Sequence, residues 1–98
     1  MPFSRTSGYA FSEAGIATYA PRGSGVYGIY NGSTWIYVGE AGDMEARLYA
    51  HLRGESDQSG RIARQKPTHY VFEESDAWNR KARETALIRE LDPVCNRT

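Results

Sequence analysis

The chain is poor in the residues that build covalent or metal-stapled scaffolds, with one cysteine, Cys95, and two histidines in 98 residues. An internal disulfide is excluded, and so is a zinc finger, because no cysteine and histidine cluster has metal-ligand spacing. No apolar run approaches the roughly 20 residues that cross a bilayer, and the opening stretch MPFSRTSGYAFSEAG lacks the apolar core of a signal peptide. The expectation is a protein of a reducing cytoplasm with no membrane partner. An excess of charge of one sign is also missing: twelve basic and twelve acidic side chains give a formal net charge of zero. That excludes a nucleic-acid binder held by a broad positive surface. There is no internal repeat and no low-complexity tract. With 40% apolar and 12% aromatic residues, a chain this short has room for one core, burying roughly 60–70% of its unfolded surface.

What charge there is lies in patches. Residues 45–66 carry Arg47, Arg53, Arg61, Arg64 and Lys66 against three acids, and residues 80–98 carry five bases against three acids. Any contact with nucleic acid must be local. The first 24 residues are the least periodic, and residues 1–20 read as an arm with a short helix around 12–19, ahead of a domain over 21–98. From Gly25 the pattern changes to GVYGIY, NGST and WIYVG, two β-branched and aromatic runs around an Asn-Gly turn signal. Strands are expected at about 25–30 and 35–39. Asp43 as an N-cap and Gly54 past the end define a helix over MEARLYAHLR, with Met44, Leu48 and Leu52 as its apolar ridge and Arg47 and His51 together on one flank. A short helix near 58–65, a third strand at 69–73 and a final helix at 76–91, capped by Ser75 or Asp76 and stopped before Pro93, complete the chain. The fold class is α+β: a small three-stranded antiparallel sheet flanked by helices.

In the last helix Leu87, Ile88 and Leu91 follow Glu84 at i+3, i+4 and i+7, so the carboxylate heads the buried stripe. A carboxylate there is costly unless it is bridged to an arginine or binds a metal. The stretch GVYGIYNGSTWIYVGEAGDMEARLYAHL resembles the GIY-YIG nuclease superfamily, through Gly25-Val26-Tyr27, Tyr37-Val38-Gly39, and Arg47 and His51 on the following helix. Glu84 and the ending Leu91-Asp92-Pro93-Val94-Cys95-Asn96 extend the resemblance over about residues 21–97. The likeness is greatest to the incision domain of bacterial excision-repair nucleases and to small free-standing members. One departure is Glu40, where the repair branch often has lysine.

The resemblance implies a divalent-metal-dependent endonuclease acting on DNA, in repair or recombination, with Mg²⁺ or Mn²⁺ as cofactor. It implies Glu84 as the metal ligand, Arg47 as a clamp on the phosphate oxygens and Tyr27 as the group that takes a proton from water, its pKa drawn down by the metal and Arg47. Tyr37 would position water or phosphate, and His51 would share the proton work or contact the substrate. Gly39 would let backbone or phosphate approach closely, and Asn96 would tie the C-terminus to the active-site backbone. Arg53, Arg61, Arg64 and Lys66 would meet the nucleic acid, weakly and with little sequence preference, so that a protein partner, a homodimer or a distorted substrate is needed for useful affinity. The alternative is a catalytically inactive module of the same fold that binds nucleic acid or protein. Tyr27 and Tyr37 share one face only if paired residues of the hairpin sum to an even number, which calls for a three- or five-residue loop.

Overall fold

The computed structural model describes Phe3 and residues 8–97; residues 1–2 and 4–7 of the expected arm lie outside the described residues. In chain order the elements are β1 (Tyr9–Ala10), α1 (Glu13–Tyr19), β2 (Gly25–Asn31), β3 (Thr34–Ala41), α2 (Met44–Leu52), α3 (Ser59–Arg64), β4 (His69–Glu74), α4 (Arg80–Leu91) and a closing 3-10 turn at Val94–Asn96. The sheet has four strands, not three, in the order β1-β4-β2-β3, each neighbouring pair antiparallel. The extra strand is a two-residue pairing of Tyr9 with Tyr70 and Ala10 with His69, too short to leave a period in the sequence.

The hairpin differs from expectation in an informative way. Its turn has only two residues, Gly32 and Ser33, with Gly32 at φ +58°, a left-handed conformation that favours glycine. Asn31 pairs with Thr34 and Tyr30 with Trp35, but Ile29 pairs with Tyr37, so Ile36 is an extra residue bulged out of β3. From there on the pairs sum to an even number, including Tyr27 with Gly39 and Gly25 with Ala41. A bulge supplies the parity that a longer loop was expected to supply. It also leaves the consecutive residues Ile36 and Tyr37 packed toward the same core.

Alternation along the strands divides the apolar residues between two faces. On one, Tyr27, Ile29, Ile36 and Tyr70 pack with Ile16 of α1, Met44 and Leu48 of α2 and Ile62 of α3. On the other, Val26, Val38 and Val71 pack with Leu87, Ile88 and Leu91 of α4, and with Phe3 and Trp35. α1 is stitched to the sheet by the Tyr70 hydroxyl, which donates to the Gly15 carbonyl at 2.9 Å.

Three local devices fix the elements that carry the site. Asp43 Oδ1 accepts from the Ala46 N–H at 3.0 Å, while the Pro21 and Gly23 carbonyls accept from the Glu45 and Met44 N–H groups, so the first turn of α2 has partners for its open donors. The Asp76 carboxylate accepts from the N–H groups of Trp78 and Asn79 in a separate turn, and α4 proper starts at Arg80, four residues later than expected at 76. Asn96 takes the place of a fifth strand: its Oδ1 accepts from the Val38 N–H at 2.8 Å and its Nδ2 donates to the Val38 carbonyl at 2.9 Å. β3 is the sheet's edge, and this amide closes the backbone groups that an edge leaves open.

Candidate active site

Tyr27 stands on the inner strand β2, almost fully buried, opposite Gly39 of β3. A side chain at 39 would collide with it: a Cβ there would lie 2.6 Å from Tyr27 Cζ and 2.9 Å from Tyr37 Cε2. Gly39 therefore clears space for the two phenol rings. The bulge at Ile36 brings Tyr37 onto the same face, with ring centroids 6.3 Å from Tyr27. Residues i and i+4 on α2 then supply the next two groups. His51 is buried at 2% exposure, its Nε2 2.7 Å from the Tyr27 hydroxyl and its ring edge-on to Tyr37 at 5.1 Å. Arg47 is exposed one turn earlier, where its positive charge favours the ionised form of the Tyr27 phenol.

Burial dominates the electrostatics. It pushes the Tyr27 hydroxyl well above the ordinary phenol range, helped by the Tyr37 phenol and the Glu84 carboxylate and opposed by Arg47. Without a metal, Arg47 pulls in the anticipated direction and desolvation outweighs it. Tyr37 is raised too, by burial first and then by Glu84. Burial, followed by the charge of Arg47, lowers His51 to about 4. At neutral pH the two partners are a phenol and an uncharged imidazole.

Glu84 stands on α4, near enough for its charge to raise both tyrosines. It is 9% exposed and accepts from Lys81 Nζ at 2.9 Å, a lysine and not the arginine considered from sequence. Among the described residues no group of three or more histidine, cysteine, aspartate or glutamate side chains could hold a metal ion. The donor set is a single hard carboxylate, which suits Mg²⁺, a cation that takes one or two carboxylates and fills its shell with water and substrate oxygens.

Arg47 opens onto a groove of about 520 Å³ that Glu40, Gly42, Asp43, Ala46 and Ala50 also line. Glu40 is bound to Arg80, whose Nε donates to it at 2.7 Å and whose Nη1 donates to Ser24 Oγ at 2.9 Å. Of the residues expected at nucleic acid, Arg61 and Arg64 line a separate cavity of about 150 Å³ with Gln65, Val94 and Cys95. Lys66 is exposed just beyond α3. Arg53 is engaged elsewhere: its guanidinium grips Glu13 with two bonds of 2.8 and 2.7 Å and lies over the Tyr49 ring. The reading of the sequence passed over Ser56, Ser59, Arg80 and Lys81. Lys81 was within reach as the i−3 neighbour of Glu84, and Ser56 and Ser59 as a serine pair at capping spacing before α3. Arg80 meets Glu40 only in three dimensions.

A model of the GIY-YIG catalytic domain matches residues 23–97. No curated protein matches the chain. Among solved structures, the GIY-YIG N-terminal endonuclease domain of UvrC from Thermotoga maritima, bound to magnesium as its catalytic divalent cation, superposes with a TM-score of 0.72 at 24% identity, covering 88% of this chain and 99% of that one. A tyrosine-to-phenylalanine mutant of that domain, also bound to its catalytic divalent cation, gives a TM-score of 0.71 at 23% identity, with 88% and 99% covered. At this identity the likeness is one of fold.

Proposed function

The chain belongs to the GIY-YIG catalytic-domain family, and on that premise we propose that it is a divalent-metal-dependent endonuclease that hydrolyses DNA phosphodiester bonds. The observation that carries the reading is that Tyr27, Tyr37, Arg47 and His51 gather from β2, β3 and α2 on one side of the β2-β3 hairpin, with Glu84 of α4 close enough for its charge to act on both tyrosines. A structural role explains any one of them, but polar groups buried together next to an exposed Arg47 on a groove are costly to assemble for packing alone.

Hydrolysis needs a positioned water, a charge clamp on the phosphate and a route for the water's proton. Arg47 offers a planar fork of donors to two non-bridging oxygens, and it is exposed on the groove where a strand can reach it. Glu84 would hold Mg²⁺ or Mn²⁺, which when bound supplies positive charge at the scissile phosphate. Tyr27, a phenol at neutral pH, orients the water through its oxygen. As the water's oxygen bonds to phosphorus and the bond to the leaving oxygen breaks, the water's proton passes to Tyr27 while the phenol proton passes to His51. Tyr37 flanks this path and restricts where the water sits.

Nicking of supercoiled plasmid tests the reading. The expected result is relaxed circles in Mg²⁺ and none in EDTA. Intact plasmid, together with uncut single-stranded and branched DNA, would identify a module that binds without cutting.

A further inference from the structure

The Tyr27-His51 pair does not end at the histidine. His51 Nδ1 lies 2.7 Å from Ser56 Oγ, Ser56 Oγ lies 2.7 Å from Ser59 Oγ, and Ser59 Oγ lies 3.2 Å from the Ala50 carbonyl oxygen. A carbonyl only accepts, so in the contact with Ala50 Ser59 is the donor; the Ser56–Ser59 contact, whose geometry allows either donor, is taken in the sense that keeps this bond. Ser59 Oγ then accepts from both the Ser56 hydroxyl and the Ser56 N–H, the latter at 2.9 Å. With its proton directed to Ser59, the Ser56 oxygen can only accept from His51 Nδ1–H. An uncharged imidazole carries one N–H, which leaves Nε2 bare and facing the Tyr27 hydroxyl. From these contacts we infer that Ser56 and Ser59 are positioning residues that hold His51 in its Nδ1–H tautomer, so that Nε2 receives the Tyr27 proton.

The inference rests on the nuclease reading for its consequence but not for its geometry. The relay has one polarity because it terminates on backbone of α2 that has no proton to return. When His51 gains the phenol proton, its Nδ1–H already has an acceptor, and the new imidazolium needs no rearrangement. The other tautomer would put a hydrogen between Nε2 and Tyr27 and turn the phenol oxygen into an acceptor, closing the path.

Nitrogen-15 NMR of the metal-free protein reads the tautomer with no cleavage involved. The expected spectrum of the unaltered chain has a protonated Nδ1 and a bare Nε2. Ser56→Ala and Ser59→Ala should give a mixed or inverted tautomer and a nicking rate lower by roughly tenfold, with the Mg²⁺ concentration for half-maximal rate unchanged. Ser59→Thr, which keeps the hydroxyl, should restore both. A protonated Nε2 in the unaltered chain, or serine variants that keep the tautomer and the rate, would overturn the inference. A chain with the expected tautomer that cuts no DNA would overturn the nuclease reading alone.

Trp78 supports a second inference independently. It is 92% exposed, yet the turn beneath it is braced: Asp76 Oδ1 accepts from the Trp78 and Asn79 N–H groups at 3.0 and 2.9 Å, and Asn79 Nδ2 donates to both Asp76 oxygens. Two residues on, Arg80 ties this turn to Glu40 and Ser24 at the groove that Arg47 lines. A large apolar ring is thus held out on a braced turn two residues before Arg80, which binds the groove-lining Glu40. We propose that Trp78 stacks on an unpaired base of the DNA substrate, since an indole face takes any base without reading its sequence. This too rests on the nuclease reading. The other tryptophan, Trp35, is packed against Phe3 and Tyr30 at 5.6 and 5.2 Å, so a Trp35→Phe background reports Trp78 fluorescence alone. Oligothymidine in EDTA should quench that emission, and Trp78→Ala in the unaltered background should weaken single-strand binding by about tenfold while sparing duplex binding. Single-strand binding with unchanged emission and equal affinity of the alanine variant would overturn the proposal, as would a blue shift with protein concentration alone, which would assign the ring to a second copy. Plasmid nicking by the unaltered chain separates failure of the stacking from failure of the nuclease reading.

Discussion

At the scale of single residues the site depends on the absence of one side chain and the burial of another. Gly39→Ala should leave the fold in place but push the Tyr27 and Tyr37 rings aside, costing about 1–3 kcal/mol by overpacking and more than roughly tenfold in nicking rate. Urea unfolding and plasmid nicking on the same sample check both. His51 makes stability depend on pH. It titrates at about 4 in the fold against about 6.5 in the unfolded chain, so between those values the unfolded state binds more protons. Stability is therefore held above about pH 6.5 and lost as pH falls toward about 4, by up to about 3 kcal/mol from this group. Urea unfolding of the unaltered chain and His51→Gln across that window should show a flatter profile for the variant. Tyr27, Tyr37, Arg47, His51 and Glu84 were named through the family resemblance, and the structure brings the first four together. Ser56 and Ser59 were not singled out, since a serine pair at the start of α3 reads as a capping signal until a buried histidine faces it. The depth of burial that raises the Tyr27 phenol in the metal-free protein was not legible, since sequence shows the neighbouring arginine and hides desolvation.

At the scale of elements the hairpin shows what a pattern can and cannot specify. Placing both tyrosines on one face required an even pairing sum in the hairpin, and the pairing near the site has it. Whether a long loop or a bulge delivers the parity is a choice made by local backbone geometry around Asn31-Gly32 and Ile36, and the pattern is blind to it. The two-residue β1 and the capped turn before α4 escaped for the same reason, since neither spans a full period. The edge strand offers a direct test. Asn96→Ala removes both bonds to Val38 and should lower the unfolding free energy by about 1–3 kcal/mol. Asn96→Asp keeps the acceptor, loses the donor and should lie between the two in urea denaturation.

At the scale of the whole molecule, charge arithmetic gave the net value and missed the pairing. Arg22, Arg53, Arg80, Lys81, Arg83 and Arg97 are each matched with an acid, which is why Arg53, counted among the basic patch, is turned to Glu13. Arg47, Arg61, Arg64 and Lys66 are the expected cations toward phosphate. Binding to duplex DNA should therefore be weak, with a slope of log K against log salt of roughly −2 to −4. Fluorescence anisotropy across salt concentrations checks it, and reversing Arg61 and Arg64 to glutamate should reduce the slope without changing the rate of cutting by bound protein. Nanomolar, sequence-selective duplex binding would contradict this picture of the surface. The account as a whole turns on Glu84, the only carboxylate assigned to the metal. Its most direct test is the single-turnover nicking rate of Glu84→Ala in Mg²⁺, on protein whose fold is verified by circular dichroism. The account predicts a loss of at least about 100-fold; cutting at the rate of the unaltered chain would contradict it.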